Sequence, residues 1–215
     1  MPEDLGRRPD ALTPGDRLPT MSEMLRRLFL LAAGLALVAS ATRPALASVV
    51  EAMSLETLVH ASEHVVVATA VAQRSRWDGP GRIVTDVTLE IETAPKGDGR
   101  RGQALEVVCL GGSVDGVGMR VEGAPRFQAG ASHLVFAERH AETGYLVPSG
   151  LSQGVMRIEA SGGRRVVQPG GHGLALVQRS SSGQLLRSAP AVMHPRDLED
   201  VLVEIRALVA REGRR

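Results

Sequence analysis

Beyond residue 50 the hydrophobic positions recur mostly with a period of two. A helical period shows only in a short stretch after Ser54 and again near the C-terminus. Ile83, Thr85, Val87, Leu89 and Ile91 alternate with Val84, Asp86, Thr88, Glu90 and Glu92, the pattern of a strand with one wet face. The preceding stretch, residues 64–76, opens with Val65-Val66-Val67-Ala68, a β-branched run apolar on both faces, as a doubly buried strand requires. Trp77-Asp78-Gly79-Pro80-Gly81 between them is turn chemistry, so the two strands are expected to form a long antiparallel hairpin. A second turn, Pro95-Lys96-Gly97-Asp98-Gly99, leads to a third strand in which Leu105, Val107 and Cys109 share a face. Shorter strands are expected at 133–138, 145–147, 155–158, 166–167 and 174–177. Residues 111–130, dense in glycine, read as a long irregular loop.

Ser54 can cap a short helix whose Leu55, Leu58 and Val59 lie on one face. A terminal helix is expected over residues 195–211, with Pro195 at its first position. Leu198, Val201, Leu202, Ile205, Leu208 and Val209 give it one apolar stripe, expected to dock on the chain's own core. Closely spaced short strands with one terminal helix indicate a single mainly β domain over residues 48–215, a small antiparallel barrel or sandwich.

The N-terminal region follows a different pattern. Arg26 and Arg27 precede an apolar run over residues 28–39, and Ala45-Leu46-Ala47 supplies the small-x-small signature of a signal peptidase site. The run is shorter than the roughly 20 residues a membrane-spanning helix needs. Residues 21–47 are therefore expected to be a signal peptide cleaved between Ala47 and Ser48, placing the domain in the periplasm or outside the cell. Attachment to a membrane would require that signal to stay uncleaved. Residues 1–20, with Pro2, Pro9, Pro14 and Pro19, are expected to be disordered or to lie upstream of a true start at Met21 or Met24.

Charge narrows the partners. The chain has 25 basic and 24 acidic residues, and those after Ala47 balance, which argues against nucleic acid as a ligand. Aromatic side chains are few, so stacking platforms for sugars or bases are not indicated. Cys109 is the only cysteine, so no intramolecular disulfide can form. Its parity with Leu105 and Val107 puts it on the apolar face, where a thiol is inert.

No catalytic or metal-binding constellation emerges. His60 and His64 have helical ligand spacing, but the strand run at Val65 breaks that register and no third ligand is near in sequence. Gly111-Gly112-Ser113 and Ser149-Gly150-Leu151-Ser152 do not fit a nucleophile elbow. Gly170-Gly171-His172-Gly173 lacks the lysine of a phosphate loop. Loop 111–130 is the best candidate surface, with Asp115, Met119, Arg120, Glu122 and Arg126 as candidate binding residues. The alternative is that its glycines only let the chain cross the end of a barrel.

The capped helix at Ser54-Leu55-Glu56-Thr57-Leu58-Val59, the strand His64-Val65-Val66-Val67-Ala68, the alternating strand 83–92 and Pro95-Lys96-Gly97-Asp98 together resemble a group of uncharacterised exported bacterial proteins. More distantly, residues 50–140 resemble the netrin-like module shared with tissue inhibitors of metalloproteinases. That resemblance implies an OB-like five-stranded barrel and a binding role. It does not carry inhibition, because those inhibitors chelate the protease zinc through an N-terminal cysteine, where this chain would present Ser48. The expected function is a non-enzymatic binding or accessory module acting on another envelope or secreted protein, a protease among the conceivable partners, without cofactor or metal. Two alternatives stay open: a hydrolase whose triad only folding assembles, and a structural envelope protein assembling through its terminal helix. Oligomeric state is not legible.

Overall fold

A strand with no wet side needs a hydrogen-bonded neighbour on each edge and an apolar layer on each face, and the run at 65–68 receives all four. In the computed structural model, which describes Met21, Leu25 and residues 48–214, strand β2 (His64–Trp77) lies between β3 (Ile83–Lys96) and β7 (Ser132–Arg139). Residues 1–20 and, apart from Met21 and Leu25, the expected signal segment with Ala47 lie outside the described residues. The remaining strands are β1 (Ser48–Glu51), β4 (Ala104–Leu110), β5 (Gly112–Val114), β6 (Val117–Met119), β8 (Leu146–Pro148), β9 (Val155–Ser161), β10 (Arg164–Val167), β11 (Leu174–Arg179), β12 (Leu185–Arg187) and β13 (Arg196–Asp197). Within residues 48–214 two α-helices join them, α1 (Leu55–Ala61) and α2 (Leu198–Glu212). The protein is mainly β, with a C-terminal helix.

Eight strands form the main sheet in the order β13-β10-β9-β7-β2-β3-β4, with β8 also pairing β7. A second sheet, β1-β11-β12, joins β1 and β11 in parallel, and β5 pairs β6 in a separate hairpin. Two cores lie on opposite faces of β2. Val65 and Val67 pack with Leu134, Phe136, Met156 and the apolar stripes of both helices. Val66, Ala68 and Ala70 pack with Leu89, Ile91, Val107, Cys109 and Val135. On this second side the sheet curls until Cα atoms of β4 and β8 come within 8 Å. No backbone pairing joins them among the described residues, so the sheet is not closed.

A bulge sets the phase of β2. Ala70 faces Leu89 and Gln73 faces Val87 across the ladder, so the strand changes parity around Val71, which is left half exposed. Strand β3 runs on to Lys96, past the turn expected at Pro95. Pro95 falls in the register shift between the pairs Val67–Thr93 and Val65–Lys96 and beyond the last β4 pair, so its missing N–H removes no ladder bond. The terminal helix starts at Leu198 and not at Pro195. Arg196 and Asp197 are held extended by pairing with Val167 and Val166, and the Asp197 carboxylate then caps the helix by accepting from Glu199 N at 2.9 Å. The expected loop 111–130 contains the β5–β6 hairpin. Asp115 and Gly116 at its tip have φ of 50° and 80°, the two left-handed residues of a type I′ turn.

The helix layer is tied down by the sole lysine. Lys96 Nζ donates to Val59 O at the end of α1 and pairs with Glu212 at the end of α2, both at 2.7 Å. This contact holds the Glu212 carboxyl below its usual range, with a smaller contribution from His60. Lys96→Met is expected to lower the urea unfolding free energy by about 1.5–3 kcal/mol, since it removes charge-assisted bonds to two helix ends. A loss below about 0.5 kcal/mol, the usual scatter of surface changes, would contradict this role.

Candidate functional site

The unpaired seam between β4 and β8 opens onto a cavity of about 400 Å³. Its walls are mostly apolar, with Val84, Val108, Leu110, Pro125, Val147 and Leu151. Val108 and Leu110 come from the face of β4 opposite Cys109's core-facing neighbours, and Val147 from the middle of β8. Leu151 is placed by an uncommon backbone: Gly150 and Leu151 have φ of 63° and 61°, and a bulky side chain rarely occupies that region. The next two residues explain how it is held. Ser152 N donates to Gly123 O at 3.0 Å and Ser152 Oγ to His172 O at 3.0 Å. The buried Gln153 amide accepts from Met53 N at 2.9 Å and donates to Glu51 O at 3.1 Å. One short segment thus fastens three loops and the N-terminal strand.

The cavity mouth is polar. Tyr145 Oη donates to Asp78 Oδ1 at 2.9 Å, and Arg82 pairs with the other carboxylate oxygen at 2.6 Å. The tyrosine bond, aided by Arg82 and Arg76, holds the Asp78 carboxyl below its usual range. Arg76 chelates Asp86 at 2.7 and 3.0 Å, and its guanidinium lies 5.2 Å from the Tyr145 ring centroid. This cluster latches the tip of the β2–β3 hairpin to the loop before β8. Glu138 and His140 complete the rim.

Two further cavities flank the first, and Ala124 and Pro125 border all three. The segment 120–127 is therefore a strap across the curled end of the sheet. Gly123 fixes its course, because its φ is 79° and a Cβ there would lie 2.1 Å from Leu174 Cδ2. Met119, Arg120 and Arg126 meet at the cavity of about 430 Å³, with Gln73, Thr85 and Phe127. Arg120 pairs with Glu122 at 2.7 Å, and these two with Arg126 edge the cavity of about 330 Å³. Asp115 sits apart, exposed at the hairpin tip. Ser48 Oγ donates to Glu122 O at 3.3 Å, which brings the start of β1 to the strap. The loop reading of the sequence thus found the strap but not Asp78, Arg82, Glu138 or Tyr145. Asp78 reads locally as a turn residue, and its partner is 67 positions away.

Cys109 is buried, and burial pushes its thiol up to about 12. Among the described residues no hydroxyl or thiol meets a histidine that a carboxylate in turn holds: His140 Nδ1 meets Thr143 at 3.2 Å, and Ser149 meets Ser62 at 2.9 Å. His60 is exposed beside Glu212 while His64 is buried in β2, and no group of three metal-ligating side chains occurs among the described residues. No described helix is long and apolar enough to cross a membrane.

His133 is a buried exception to the apolar core beneath the strap. Its ring packs edge-on against Phe127 at 5.0 Å, and Nδ1 has no partner. Burial lowers its pKa from the ordinary 6.5, against a smaller opposing effect of the Ala131 backbone, so folding favours the neutral ring. As pH falls below 6.5 the unfolded chain takes up a proton that the folded chain refuses, so stability declines, whereas above that pH the contribution is fully present. The urea midpoint is expected to fall between about pH 7.5 and 5.5, and to fall less in His133→Leu, a window chosen above ordinary carboxylate titration. Equal declines in both proteins would contradict the assignment. No family model, curated protein or solved structure matches this chain.

Proposed function

We propose that this chain is an exported, non-enzymatic binding module that engages another envelope or secreted protein through the hairpin and strap of residues 112–126. The observation that carries the reading is how this segment is built. Its base is pinned at Gly111, whose N–H donates to Ile83 O, and at Gly123, while Asp115, Val117 and Arg120 between them and Arg126 just beyond are exposed. A rigid base that presents varied side chains is the arrangement expected of a recognition loop. The buried, high-pKa thiol of Cys109 favours this reading over a hydrolase. The C-terminal stripe favours it over assembly through the helix, since Leu198, Val201, Leu202, Ile205 and Leu208 are already buried in the chain's own core.

The export part of the proposal rests on the Arg26–Ala47 pattern. We further read β8-β7-β2-β3-β4 as an OB-like, netrin-like barrel left open at one seam. The approach of β4 to β8 and the apolar side chains enclosed between the curled strands support it.

The test uses the exported chain, expected to begin at Ser48 on N-terminal sequencing, as bait for the native envelope fraction. It is compared with a variant in which residues 113–118 are replaced by Gly-Gly. Partners captured by the parent are expected to be lost with the variant, at unchanged near-UV circular dichroism and urea midpoint. Recovery of the same partners by both proteins would overturn the role of the hairpin.

A further inference from the structure

The charges around the β4–β8 cavity do not balance within the protein. Asp78 is satisfied by Tyr145, Arg82 and Arg76, and the Arg82 guanidinium is spent on the Asp78 carboxylate and the Asp78 backbone carbonyl. Arg76 is bound to Asp86, and His140 Nδ1 faces Thr143. The neighbouring Arg139 reaches away to Glu63 and Gly144 O. The Glu138 side chain alone has neither a hydrogen bond nor an ion pair among the described residues, although the residue is half-buried and lines the cavity. It stands directly across the ladder from Val147, one of the apolar walls. A carboxylate in partly desolvated surroundings gains most from a cation supplied to it.

We infer that this cavity is a binding site for an amphipathic organic cation, an aliphatic chain that lies against Val108, Leu110 and Val147 with its ammonium group on Glu138. About 400 Å³ falls within the range of small-molecule sites, and such sites combine apolar walls with a few polar groups that fix orientation. The latch between Asp78 and Tyr145 keeps the mouth formed without a ligand. The site does not depend on the hairpin tip, so it stands or falls separately from the protein-binding role.

The experiment titrates the full chain with octylamine, octanol and octanoate by isothermal calorimetry. Fluorescence of Trp77, the sole tryptophan and the neighbour of Asp78, provides a second readout. Octylamine is expected to saturate at one per chain and to bind about tenfold or more tightly than octanol or octanoate, the ratio for one charge-assisted contact. Glu138→Gln should reduce octylamine to the level of octanol while leaving octanol unchanged, and Val147→Phe should weaken both by filling the cavity. Equal binding of octylamine and octanol by the parent would overturn the inference. So would an absence of saturation, or octylamine binding that neither substitution alters. The comparison of ligands on the parent protein decides the matter even if a variant fails to fold.

Discussion

The fold depends on four residues that have no wet side. Val65, Val66, Val67 and Ala68 are fully buried, the odd pair under the helices and the even pair under the curled half of the sheet. Each valine buried in this way is worth about 1.5–3 kcal/mol of transfer free energy. A polar group at any of them would be desolvated in one core or the other. Over residues 64–69 β2 is also flanked on both edges, by β7 along the whole stretch and by β3 at Val65, Val67, Ala68 and Thr69. Neither layer can pack without this strand.

From that central strand the two halves diverge. On the helix side the apolar stripes of α1 and α2 cover the sheet, and Lys96 and Glu212 fasten the ends of both helices to β3. On the other side no helix among the described residues covers the sheet, which buries its apolar face by curling. The bulge at Val71 assists, since it rephases β2 and strengthens the local twist. Curling stops short of closure because β8 contributes only three residues, and the strap fills part of the remaining space. The seam, its apolar cavity and the polar latch at its mouth all follow from that incomplete closure.

Elements with a long, regular period were legible in the sequence. The β2–β3 hairpin, the Ser54 cap, whose hydroxyl accepts from Thr57 N at 3.0 Å, and the C-terminal stripe could be read from local pattern alone. The short elements could not. Strands β12 and β13 are too brief to show a period, and β1 becomes a strand only by pairing in parallel with β11, far along the chain. Pro195 was a misleading start signal because the pairing of Arg196 and Asp197 with β10 outweighs helix propensity there. Asp115-Gly116 carries good turn chemistry, yet its glycine-rich flanks give no alternation to mark a hairpin. At the site, the strap was visible as a run of glycines, whereas the cavity mouth is assembled from turn and loop residues whose contacts depend on how the sheet curls.

A doubly buried β2 organises a sheet that remains open between β4 and β8. Native-state hydrogen exchange tests it strand by strand. Amides of residues 65–68 are expected to exchange only through global unfolding. Those of β4 that do not bond to β3 should exchange far faster, through local opening at the seam. If the β4 and β8 amides were uniformly as protected as those of β2, the sheet would be a closed barrel and the account of the seam would fail.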